Sequence, residues 1–478
     1  MTYRRLPKLA MMLTVALFLH GCMGPLPISL PNPDFALNLA QPAPTPAPSP
    51  TPSPIRAAYG GHLYIAMPLP VTLNPLLNSD PDVDTVLRLI FEPLVIFDYE
   101  QHPIPNPAIT QSIVFSADGN TLAVTLRDNI FWEDGSPITS DDIAFSIDVL
   151  RFSAPATAIY RSNVANIASH MALDGRTLQI NLHSPMWAMK YMLAFPIIPA
   201  DYYRPVSMTN LRAARNMHPL GNGPFRFFEH ELASHLKLMA NEDAPGGRPY
   251  IGTIMAIFLR DMDGAGYAFE RGLTHVLLAG AEDWGRFGAM GKTRAAEILT
   301  NDFDFIGFNF RNPLFADYET RAAIAASDFV LAEDVEISII VNAANVKGVS
   351  MANSLTFAAV EALPFDAFIS RVNAGDFDIV VGGIATGPAP NFDFLYNILG
   401  YSSEELDLLL SMKRHAPSDT AFHQAMADIR QYITDNLLLI DLGFRRQVLY
   451  TAGHVHGDIR ISPNSIFENI RDWHLSSP

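Results

Sequence analysis

Residues 126–147, LRDNIFWEDGSPITSDDIAFSI, leave the chain little choice of local structure. Leu126 closes an apolar run that begins at Leu122, so a strand is expected to end there. Asp134-Gly135 is a turn dipeptide, because glycine takes a positive φ at no steric cost. Pro137 then holds Ser136 extended. Thr139 is a good N-cap, Asp142 can answer it across the first turn, and Ile143, Ile147 and Leu150 follow at helical spacing. Judged on its residues alone, the stretch is a strand-turn-helix corner without chemistry of its own.

The same devices recur along the chain. A strand is expected at 62–67, after Gly60-Gly61, and a helix at 83–94. Asp118-Gly119-Asn120 joins strands at 112–115 and 122–126, and Asp174-Gly175 precedes the alternating TLQINL at 177–182. Further strands are expected at 195–199, 236–240, 254–259, 305–310, 376–382, 437–442 and 447–451. Helices are expected at 318–326 and from Asp419, where Phe422, Met426, Ile429 and Ile433 are well spaced. Strands and helices mix throughout, which places the fold in the α/β or mixed α+β class. At 478 residues and 49% hydrophobic, the chain can bury a large core and exceeds one ordinary domain.

The N-terminus reads as an address. Arg4, Arg5 and Lys8 precede a short apolar run at 9–19, too short to span a bilayer. The run ends in Leu19-His20-Gly21-Cys22, similar to a bacterial lipobox, so Cys22 is the expected lipidation site and 1–21 the signal peptide. From Gln41 to Pro54 every second residue is proline, which favours extended polyproline II and a stalk of roughly 43 Å. Residues 22–59 are therefore expected to tether a globular body to the membrane through the lipid.

Acids outnumber bases 49 to 32, and the net charge of −17 argues against nucleic acid as a partner. The single cysteine excludes an intrachain disulfide and a cysteine zinc cluster. Neither a G-x-S-x-G elbow nor an H-E-x-x-H helix is present, so a hydrolase is disfavoured and no enzyme activity is expected. Gly221-Asn222-Gly223 lacks the Lys-Ser/Thr ending of a phosphate loop. His454 and His456 could begin a metal site, but a strand end is the simpler reading, and no metal or cofactor is expected.

In order, these pieces resemble the extracellular solute-binding proteins of family 5, which serve ABC importers of oligopeptides, dipeptides and nickel. The resemblance is carried by Thr72-Leu73-Asn74-Pro75, by Phe91-Glu92-Pro93-Leu94-Val95 with Asp98, and by 126–146. It continues through 195–199, Gly221 to Phe225, and Asn309, Pro313, Phe315, Asp317 and Arg321 in register. Phe368, Gly375 to Ile379 and Gly382 complete it. It implies a two-lobed, periplasmic-binding-protein-like fold (type II, cluster C) that closes on a ligand. The first lobe would span 60–250 with an inserted subdomain at about 100–165, the second 251–440, and 441–478 would return to the first. Motif position implies a cleft lined near Asn74, Gly221, Asn222, Asn309, Phe310, Ile384, Thr386 and Gly387. The implied partners are a small solute, peptide-like or other, and ABC permease subunits, with the protein a monomer on the extracytoplasmic face of the cell membrane.

Two departures from the family pattern stand out. The chain runs almost directly from Ala326 to 336–340, so the second lobe is expected to be shortened. The loop 383–391 lacks the tryptophan and the acid that peptide binders use to pair an α-amino group. The alternative to transport is a degenerate member kept as a surface interaction or signalling protein.

Overall fold

The computed structural model describes residues 57–98, 101–260, 262–280, 283–288, 293–331, 335–386 and 391–476. Cys22, the proline-rich stretch and Gly387 lie outside them. Strand β1 (Gly60–Pro68) leads to a helix at Pro81–Leu87, which Asp80 caps by accepting from the Asp82 and Val83 N–H groups. The helix is shorter than the expected 83–94. The carbonyls of Leu89 and Ile90 instead accept N–H bonds from Asn222, Gly223 and Phe225, so distant chain replaces the next helical turn. Strands β2 (Val95–Phe97) and β3 (Pro103–Pro105) form a small ribbon.

The inserted region is a four-stranded antiparallel sheet. Its strands are β4 (Thr110–Phe115), β5 (Thr121–Leu126), β6 (Ile167–Ala172) and β7 (Thr177–Leu182), in the order β4-β5-β7-β6. The sheet runs past the expected limit at 165 because β7 pairs with β5. The corner at 126–147 packs beside it, with a helix at Ser140–Asp148. The Thr139 N–H donates to Asp142 Oδ2 at 2.7 Å, and Trp132 Nε1 donates to the same oxygen at 3.3 Å. Residues 195–199 are buried but, apart from one bridge between Pro196 and Pro93, form no strand. Asp142 Oδ1 and Ser146 Oγ instead take the N–H groups of Ala200 and Ile198.

Strands β8 (Phe225–Glu231), β9 (His235–Ala240) and β10 (Ile251–Leu259) complete the first large sheet, ordered β1-β10-β9-β8 with β1 and β10 parallel. The first sheet therefore extends beyond the expected boundary at 250. The second large sheet holds β11 (Val276–Gly280), β12 (Thr293–Phe308), β13 (Ser338–Asn342), β14 (Ala359–Leu363), β15 (Ile379–Ala385) and β16 (Leu439–Ala452), in the order β11-β16-β12-β15-β13-β14. The two strands expected at 437–442 and 447–451 are one, bent at Gly443, whose φ of +87° glycine tolerates. β15 starts later than Asp376, because Gly375 at φ +67° closes the Phe365–Ala374 helix just before it. Strands β17 (Val455–His456) and β18 (His474–Leu475) bring the chain back to the first sheet, where Leu475 packs on Gly61 and Arg471 pairs with Glu92 at 2.6 Å. One apolar core runs continuously from the inserted sheet through the first large sheet to the helix Asp419–Asp435.

Candidate functional site

A cleft of about 420 Å³ opens where the two large sheets meet. One wall is β1, through Ile65 and Ala66, with the helix Pro81–Leu87, through Asp82, Thr85 and Val86. The facing wall is β11 at 276–279 together with the turn and helix that precede it, the short helix Trp284–Phe287 that follows it, and Gln447 of β16. Ile466 and Phe467 also line it. The second wall stands close because Gly266 lets its helix approach Phe287: a Cβ there would come 3.0 Å from Phe287 Cζ. Behind that wall Phe269, Leu277, Phe287, Val448 and Tyr450 form a small core.

Three carboxylates, Asp82, Asp263 and Asp283, line the cleft. Partial burial, and next the Asp80 carboxylate, push the Asp82 carboxyl above its ordinary value. The one guanidinium in the lining, Arg286, is held by Glu270 through Nε to Oε1 at 2.5 Å and Nη2 to Oε2 at 3.0 Å. That pair raises Arg286 and lowers Glu270. The arrangement has an apolar floor, a polar rim and an excess of negative charge.

The motif residues lie elsewhere and spend most of their polar groups on their own chain, the buried Asn222 Nδ2 excepted. Asn74 is fully buried; it donates to Asn216 Oδ1 at 3.0 Å and accepts from the Leu76 N–H at 3.0 Å, which fixes the loop after β1. Gly221 admits no side chain, since a Cβ would lie 2.1 Å from the Ile90 carbonyl oxygen. Asn222 is fully buried and accepts from the Glu92 N–H at 2.9 Å. Beside them Glu133, held between its own N–H to Gly221 O and the Gly221 N–H, has its carboxyl pushed up to about 7, chiefly by burial. Asn309 donates to Gly375 O and Phe377 O, and Phe310 stacks edge-on against Tyr401 at 4.8 Å. Ile384 pairs with Phe303 in the sheet, and Thr386 donates through both N–H and hydroxyl to Asn301 O at 2.8 Å. None of these residues is among those lining the cleft. The acidic helix start at 80–84 was the one local signal that could have pointed there; Asp263, Asp283, Arg286 and Gln447 belong to no motif.

His454 and His456 do not converge. His456 Nδ1 accepts from Arg294 at 2.7 Å and its Nε2 meets Ser476 Oγ at 2.9 Å, while His454 Nε2 lies 3.2 Å from His275 Nδ1. Among the described residues no group of three or more His, Cys, Asp or Glu could hold a metal ion, and no helix is long and apolar enough to cross a membrane.

Residues 105–327 match the sequence profile of bacterial extracellular solute-binding proteins, family 5, middle region. An ABC transporter peptide-binding protein of Brucella ovis is 28% identical over 243 residues, 50% of this chain and 45% of that relative. The oligopeptide-binding protein AppA of Bacillus subtilis is 22% identical over 283 residues, 56% of this chain and 50% of AppA. The chain thus spans about half the length of these relatives. In three dimensions it is similar to the ABC transporter substrate-binding protein CtaP of Listeria monocytogenes, with a TM-score of 0.75, 18% identity, and coverage of 88% of this chain and 100% of CtaP. The fold is that of the type II periplasmic binding proteins, mixed α/β as expected. Over residues 105–327 the chain is thus similar to the bacterial extracellular solute-binding proteins of family 5.

Proposed function

We propose that this protein is the receptor of an ABC importer, capturing a small solute between its two large sheets and delivering it to a membrane permease. The observation that carries this reading is the cleft of about 420 Å³ with walls from both sheets. Its volume falls within the ~300–1,000 Å³ typical of small-ligand sites, and its apolar floor with a few polar groups is what such sites need. The relatives named for peptide binding support the same class. In this reading residues of the first sheet and of the second form two lobes, and the protein works as a monomer that closes on its solute. The motif residues Asn74, Gly221, Asn222, Asn309, Phe310, Ile384 and Thr386 serve as the scaffold that sets the walls. Cys22 carries a lipid, and the proline-rich stretch holds the body away from the membrane on its outer side.

A thermal-shift screen of the purified protein against short peptides, metal ions and small sugars tests the solute. A true ligand at 100 times its Kd stabilises by about 2.7 kcal/mol, a readily measured rise in melting temperature. A broad screen without any saturable shift would remove the transport reading. The anchor is tested separately: labelled palmitate should enter the wild-type chain in cells and not the Cys22→Ala variant.

A further inference from the structure

We infer that His275 and His454 form an acid-operated latch between the two walls of the cleft, and that protonating the pair parts β11 from β1. Ile65 and Ala66 of β1 line one wall, and Val276 and Leu277 of β11 line the other. Tyr64 and His275 stand one residue before each lining pair, and there the two strands are joined. The His275 N–H donates to Tyr64 O at 2.7 Å, and the Tyr64 N–H donates back to His275 Nδ1 at 3.4 Å. His454 Nε2 meets the same Nδ1 at 3.2 Å, with the two rings perpendicular and 4.3 Å apart. Two donors thus converge on one ring nitrogen, which can receive them only through a lone pair. A proton on that nitrogen removes the acceptor from both.

The surroundings offer an imidazolium no counter-charge. From β1 the Tyr64 ring faces His275 at 5.1 Å, with His62 beyond it. Past His454 lies His456 of β17, held by Arg294 of β12 at 2.7 Å and facing His474 of β18 at 5.8 Å. Among the described residues no carboxylate pairs with His275 or His454, and the other imidazoles gain positive charge in acid as well. Burial, and then His454, hold the closed His275 down to about 4, whereas an imidazole released to water titrates at its ordinary 6.5. The open form therefore binds the proton more tightly, and it gains on the closed form as pH falls below 6.5. The parting of the walls stands apart from the receptor reading. Only its use, shedding a bound solute in acid, rests on that reading.

The test is hydrogen exchange by mass spectrometry on the full chain without any solute, at pH 7 and pH 4.5, corrected for intrinsic exchange. Peptides covering 64–66 and 275–278 should lose about tenfold or more of their protection in acid, while β13 and β15 keep theirs. His275→Asn retains an acceptor oxygen for the Tyr64 N–H and cannot titrate, so in this variant the acid loss should vanish. Equal protection at both pH values, an equal loss in β13 and β15, or an undiminished loss in His275→Asn would each overturn the latch. Should that variant fail to fold, an NMR titration of His275 in the wild type decides. Proton uptake well below 6.5 supports the latch, and uptake at 6.5 overturns it. Because no solute is used, failure here leaves the receptor reading standing, and an empty solute screen leaves the latch standing.

Discussion

Glu133 occupies a corner whose packing works against its ionisation. Its carboxyl, ordinarily near 4.5, is pushed up to about 7, first by burial and only partly relieved by the Gly221 N–H and by Arg226. The folded protein thus holds this proton more tightly than the unfolded chain. The stability it brings is full below pH 4.5 and is lost as pH rises through 7. Glu133→Gln, neutral at every pH, should match wild type near pH 4 and exceed it by about 2 kcal/mol at pH 8, after discounting for partial exposure. Urea midpoints at the two pH values decide it; an equal gap at both would refute the assignment. The neighbouring Gly221 makes a steric demand instead. With the Ile90 carbonyl 2.1 Å from any Cβ, Gly221→Ala must push two segments apart and should cost about 2–3 kcal/mol in chemical denaturation.

Where the two large sheets join, strand ends take part in the coupling. The His275 N–H donates to Tyr64 O of β1 at 2.7 Å, and its carbonyl accepts from Ala452 of β16 at 2.9 Å. His454 sits just after β16, its ring 4.3 Å from that of His275 and perpendicular to it. The Tyr64 N–H points at His275 Nδ1 at 3.4 Å, so this nitrogen is the acceptor and His454 Nε2 donates to it. Protonating Nδ1 would break the pair. Burial, then His454, lowers His275 to about 4, and burial lowers His454. These are bases with depressed pKa, so their stability is present above pH 6.5 and is lost as pH falls toward 4. His275→Asn should flatten the fall of melting temperature between pH 6.5 and 4; an unchanged acid slope would place the acid sensitivity elsewhere.

Across the whole molecule, a line of side chains ties the second sheet to loops beside the first. Gln101 Oε1 accepts from Asn464 Nδ2 at 2.7 Å, Asn464 Oδ1 accepts from Asn301 at 3.3 Å, and Asn301 O accepts from Thr386. Asn464 is the middle of that line, and Asn464→Ala removes both of its side-chain bonds. The expected loss is about 1 kcal/mol, with faster hydrogen exchange at both 101 and 301. Faster exchange at only one end would mean that the line does not couple the two regions.

Turns, caps and alternating strands were readable in advance because neighbours along the chain determine them. The Asp134-Gly135 turn, the Thr139 to Asp142 cap and the hairpin at Asp118-Gly119 needed only local stereochemistry. The resemblance to family 5 was legible for the same reason, since its motifs are runs of adjacent residues. The helix after β1 was overextended because its apolar spacing continues, while the carbonyls that would have propagated it are taken by residues 222–225. Likewise the motif residues were expected to line a cleft, whereas the cleft of about 420 Å³ is lined by Asp82, Asp263, Asp283 and Arg286, which no spacing connects. An electrostatic field is a sum over neighbours in space, so the charge of a cleft exists only once folding has brought distant segments together.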